Sequence, residues 1–312
     1  MTSRKRKLSI LSKIYLIFIW PIKLIYITAF IFGAFNVSGE KVLRDGTVNV
    51  VVLLEITVLT IYLHCRKKLL RRLIEKLNYL IEGNESIQDI IVNIVKPIEK
   101  PLTIYTIGNI TAVVIWATLP FLEILRKNEF YYSDYRMPNV ISKEPFSVNI
   151  FIAGIILQII GAIHTIVRKI SLDLYTIHFI FLMTAQYKYL RIKFATVFEK
   201  ETEASESSCN NIVKWSENER IIKQEMRLLT RHYETVVEMA VMLKKLLFPN
   251  IAILYINNVF RFCFISLMFV MSIGQFTEKC LIVLYAVGAL IQFYILCYAI
   301  QELTEAVRFL FL

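Results

Sequence analysis

The chain has 312 residues, 56% hydrophobic and 20% charged, with a formal net charge of +11 and a mean hydropathy of +0.57. Soluble domains carry about 25% charge and about 7% Gly, whereas Gly here is 9 residues and the apolar residues gather into long blocks. Disorder, collagen and a disulfide-stapled secreted domain are excluded, which leaves a polytopic membrane protein.

A hydrocarbon core about 30 Å thick needs about 20 helical residues, and six segments meet that length: 14–35, 47–65, 102–122, 148–167, 251–273 and 280–300. Backbone groups inside lipid must satisfy one another, so blocks this long are helices and the fold class is an all-α membrane bundle. The basic tail Arg4, Lys5, Arg6 and Lys7 runs directly into the first block, with no small-residue cleavage site after it, so it reads as a tail and not a signal peptide. Arg66, Lys67, Lys68, Arg71, Arg72 and Lys76 follow the second block, and Lys188, Arg191, Lys193 and Lys200 follow the fourth. The loops between carry fewer: Lys41 and Arg44, then Arg126, Lys127, Arg136 and Lys143, then Lys279. Positive charge marks the cytosolic side, so the expected N-terminus is inside. This alternation, and not a single basic patch, is why the net charge signals a lipid bilayer and not nucleic acid.

Cytosolic helices are expected at 66–91, 171–198 and 217–247. In the first, Leu69, Leu70, Leu73, Leu77, Leu80 and Ile81 recur at three- and four-residue spacing, an amphipathic pattern. The polar, Ser-rich run 200–211 between the other two reads as a mobile loop. Together these three helices predict a cytosolic bundle suited to subunit assembly.

Nothing in the chain supports catalysis, a cofactor or a metal. His64, His164, His178 and His232 lack ligand spacing, five scattered cysteines include no CxxC, and no phosphate- or nucleophile-binding motif occurs. Lys23, Glu55 and Arg261 lie inside spans, where a charge costs at least about 2.5–3.5 kcal/mol and ordinarily faces a cavity or a partner. Glu55 and Arg261 lie at similar depth counted from the outer helix ends, which makes them candidates for an ion pair. The expected ligand site is an apolar pocket in the outer halves of spans two, three, four and six. Trp116 supplies area, Gln158 and Tyr285 supply the few orienting hydrogen bonds, and Glu55 is a further ligand-binding candidate.

Three stretches resemble the insect odorant receptor family, heptahelical receptors with an inverted topology. Asp173 is followed by Gln186 and Leu190 at the family's spacing, with Ala185 before the Gln, although Leu182 replaces a frequent His. The entry to the fifth span, RHYETVVEMAVMLKKLLFPN, opens on His232, and Cys263 follows inside the membrane. The end of the sixth span, CYAIQELTEAVRFL, supplies Cys297, Tyr298, Ala299, Leu303, Thr304 and Glu305, with Ile300 and Val307 replacing the usual Gly and Ser. The resemblance implies a subunit that binds a small volatile odorant and forms a ligand-gated cation channel with a shared co-receptor in the plasma membrane of olfactory neurons. It also implies a seventh, pore-lining span for which no residues remain after Leu312. The expectation is therefore a truncated product that contributes no ligand-gated current even when co-expressed with the co-receptor.

Rival classes fit less well. A G-protein-coupled receptor carries its N-terminus outside and an acid-Arg-Tyr motif after its third span. A transporter shows an internal repeat or paired half-helices, and neither is found. A gustatory receptor of the same superfamily is the nearest alternative.

Overall fold

A computed structural model describes residues 10–42, 46–82, 84–137, 142–206, 212–271 and 276–310. The basic tail, Arg44, Cys209 and the end of the Ser-rich run lie outside these residues, as does the side chain of Lys23. The described residues are largely helical, with α1 at Ile10–Phe35, a single turn α2 at Gly39–Lys41, α3 at Thr47–Cys65, α4 at Lys67–Ile81 and α5 at Glu85–Val95. Then come α6 at Glu99–Thr118, the short α7 at Phe121–Ile124, α8 at Val148–Glu206, α9 at Ile212–Met271 and α10 at Phe276–Arg308. Among the described residues four helices are long and apolar enough to cross a membrane, and α3 with α4 forms a further pair bent by 75°.

Local chemistry explains the boundaries. Asn84 caps α5 by accepting the Ile87 amide at 3.4 Å, which satisfies one of the orphan donors of a helix start. Pro97 sits in a 3₁₀ turn, Lys96–Ile98, and Pro101 falls in the first turn of α6, where a missing N–H costs little. The expected amphipathic segment 66–91 is two helices, not one, and its first buries Leu73 and Leu77. The polar run after Lys200 is helical through Glu206, because its Glu, Lys and Ala residues are good helix formers. Pro249 lies inside α9 and cannot donate to the carbonyl four residues back. That carbonyl, on Lys245, accepts the Tyr62 hydroxyl at 2.6 Å instead, which repairs the ladder from a neighbouring helix.

The chain divides into two compact units. The first comprises Met1–Ile56, Thr106–Ile170 and Asn257–Ala289. It includes the loop between α7 and α8, which has a core of its own: Phe130, Tyr135, Phe146, Phe151 and Ile155 are buried together. Phe130 stacks on Phe151 at 4.1 Å, and Phe130 pairs with Phe146 through reciprocal backbone hydrogen bonds of 3.3 and 2.9 Å. Tyr135 lies so close against Gly154 that no larger residue fits there. Lys127 donates to Asp134 at 2.6 Å, and that hydrogen bond holds its ammonium above the usual lysine range.

The second unit comprises Thr57–Tyr105, Ser171–Ile256 and Leu290–Leu312. Residues 179–187 of α8 are buried at every position, as expected of a helix that is apolar all round. Lys188 reaches Glu302 at 2.6 Å, Lys200 reaches Glu225 at 3.0 Å, and Lys76 pairs with Glu238.

Candidate ligand site

Within the first unit Tyr26, Phe30 and Met137 form a buried cluster, with Trp116, Leu157, Val50 and Ile27 packed against it. Tyr26 and Phe30 come from α1, Trp116 from α6 and Leu157 from α8, but Met137 comes from the loop before α8. Its side chain is completely buried. The Tyr26 hydroxyl donates to the Met137 Sδ at 3.2 Å and accepts from Asn49 Nδ2 at 3.3 Å. Gln158 is also buried, and its Nε2 donates to the Met137 backbone carbonyl. Its Oε1 is buried with no hydrogen-bond donor. Gly161, one turn below Gln158 on α8, lets the Tyr26 ring approach; a Cβ there would lie 2.6 Å from the ring. Two of the four expected site residues, Trp116 and Gln158, thus come to this one cluster.

Glu55 and Tyr285 have other partners. Lys169 donates to Glu55 Oε1 and Asn257 to Oε2, and both ends of the ion pair are 1% exposed. Arg261, itself 1% exposed, donates through Nε to the Tyr285 hydroxyl at 2.7 Å and lies 4.6 Å from the centre of that ring, a cation–π arrangement. Lys169, a cation paired with Glu55, lies two residues past the expected end of the fourth span. Asn109 packs 2.9 Å from where a Cβ on Gly288 would lie.

The motif residues gather in the second unit. Asp173 accepts the Tyr105 hydroxyl at 2.5 Å and Gln292 Nε2 at 2.9 Å, joining α6, α8 and α10. Gln186 and His232 lie 3.1 Å apart, and the Tyr189 ring lies 5.4 Å from the His232 ring. Leu190 is fully buried, Tyr298 packs near Phe181 at 6.5 Å, and Cys297 is exposed. A family model described as 7tm Odorant receptor matches residues 47–310. The chain belongs to the odorant receptor family. A search of curated proteins found no match.

This odorant receptor is thus a multi-pass membrane protein of a receptor family, not of an enzyme family. Sequence reasoning missed three residues around its buried polar centres. Lys169 escaped because α8 continues without a break to Glu206, so no helix end marks where the span stops. An acid inside span two is nonetheless a signal to look for a cation at the end of another span. Tyr26, one of 16 tyrosines, lies inside the first expected span with no pattern that sets it apart. Met137, between Arg136 and Pro138 in a polar loop, has no periodic signal at all. The one available cue is that the loop contains more aromatic residues than a solvent-facing connection needs.

Proposed function

We propose that this chain is an odorant-binding subunit of a ligand-gated cation channel, acting with the family's shared co-receptor in the plasma membrane, its N-terminus in the cytosol. The proposed ligand site is the Tyr26, Trp116, Met137 and Gln158 cluster, with Tyr285 and Glu55 as its polar surroundings. The observation that supports this reading is a buried cluster of aromatic and aliphatic side chains with two amides beside it, Asn49 and Gln158, to orient a guest, the composition of a site for small apolar ligands. Asp173, Gln186, Leu190, His232, Cys297 and Tyr298 are proposed to maintain the scaffold and not to touch odorant. The charge asymmetry of the loops supports the inside N-terminus.

Alanine at Trp116, Gln158 and Tyr285 together, in a seven-span version of the receptor, is expected to abolish the odorant response of cells that also express the co-receptor, with surface labelling retained. An unchanged response places the odorant elsewhere. Glycosylation mapping tests the orientation: sugar on Asn84 overturns it, because the proposed topology leaves Asn84 inside and Asn36 outside.

A further inference from the structure

Met137 is held as a ligand would be. It belongs to no helix, its side chain is completely buried in the cluster, and its sulfur and its backbone carbonyl each take a hydrogen bond from a helix side chain. We propose that Met137 is a built-in occupant of the odorant site, displaced when an odorant binds, and that the odorants admitted are short apolar molecules bearing a hydroxyl or carbonyl oxygen. The proposal rests on the odorant-site reading above.

Three observations support exchange. The thioether sulfur is a weak acceptor, so a ligand oxygen facing the Tyr26 hydroxyl replaces it with a stronger one. The chain is anchored just before Met137 by Tyr135, which is buried in the loop's own aromatic core, so withdrawing Met137 does not require that core to open. And Gln158 is only half satisfied in the resting arrangement. Its amide orientation is fixed, because only Nε2 can donate to the Met137 carbonyl, and this leaves Oε1 as a buried acceptor without a donor. Once Met137 has left, a hydroxyl can accept from Nε2 and donate to Oε1. A ketone or ester can serve Nε2 alone, and a hydrocarbon serves neither, so the expected order of affinity is alcohol, then ketone, then alkane. Sites built around buried polar groups reject guests that leave those groups unpaired.

The test uses the full chain in detergent, with Trp20→Phe and Trp215→Phe leaving Trp116 as the sole tryptophan. The emission of Trp116 then reports occupancy during titration with hexanol, hexanone and hexane. Met137→Ala is expected to lower the half-saturating hexanol concentration on the order of tenfold, because the site no longer has to be vacated before the ligand enters. Met137→Leu keeps the volume but removes the sulfur acceptor, and is expected to shift it in the same direction by less; it also decides the matter if the alanine variant does not fold. A response in the parent protein that neither variant alters overturns the built-in occupant while leaving the odorant site standing. Hexane binding as tightly as hexanol overturns the ligand class. No emission change with any of the three, in the parent or either variant, overturns the site itself.

Discussion

Met137 and Asp173 are both buried at the meeting point of several helices, and both accept hydrogen bonds from other elements. They differ in what lies on the other side of those bonds. At Asp173 the bonds from Tyr105 and Gln292 join one helix to another, α6 and α10 to α8. At Met137 both bonds join a helix to a loop. Separating packed helices means exposing long apolar faces together, whereas withdrawing a loop residue exposes only its own contacts. The comparison explains why the motif residues Asp173, Gln186 and His232 read as scaffold while the loop contact reads as exchangeable, although all of them are polar contacts inside one helical protein.

The sharpest way to break the comparison is the buried ion pair, another helix-to-helix tie. Lys169→Leu removes the cation facing a buried carboxylate, and is expected to cost about 3–5 kcal/mol, seen as a collapse of folded yield or of melting temperature in detergent. Glu55→Leu combined with Lys169→Leu is expected to regain most of that loss, since an apolar pair has no charge to desolvate. A double variant as unstable as the single would show that the pair is not the reason for the damage.

Asp173→Leu comes next. It takes the acceptor from Tyr105 and Gln292, at about 1–3 kcal/mol for a buried group left unsatisfied. Melting temperature is expected to fall while hexanol titration of the surviving folded fraction is unchanged; a loss of ligand affinity larger than the loss of stability would merge the two regions. The smallest expected effect is Tyr62→Phe, which removes the hydroxyl serving the carbonyl freed by Pro249. Hydrogen bonds between membrane helices average about 0.6 kcal/mol, so a slight drop in melting temperature with normal ligand binding is expected. Faster hydrogen exchange confined to the turn around Phe248 would locate the cause.

The helices were legible because apolar runs of membrane length leave few alternatives, and Leu73 and Leu77 could be assigned to a buried face from spacing alone. The joins between helices were less legible. The run after Lys200 looks like a loop by polarity, yet its Glu and Lys residues extend α8 to Glu206, because polarity and helix propensity are different properties. Trp116 and Gln158, proposed for the site from depth and chemistry, both come to the Tyr26, Phe30 and Met137 cluster. The presence of Met137 there was not legible, since its position depends on how Tyr135, Phe146 and Phe151 fold the loop back. Similarly, Gln186 and His232 were each legible as motif residues but not as a pair, because the contact spans 46 residues of chain.

One unbroken helix, α8, carries Gln158, Lys169, Asp173, Gln186 and Leu190. Gln158 meets the loop, Lys169 meets α3, Asp173 meets α6 and α10, and Gln186 meets α9, and the angles between these residues are set only by counting along the helix. Deleting or inserting a single residue between Gln158 and Leu190 would turn everything beyond it by about 100° about the helix axis, and several buried polar groups would lose their partners in the same event. Substitutions in that stretch can be compensated one at a time, but a change of length cannot. The loop before α8 is under no such restriction beyond keeping its aromatic core and the reach of Met137. In descent, this stretch of α8 is free to change its letters but not their number, whereas the loop is free to change both.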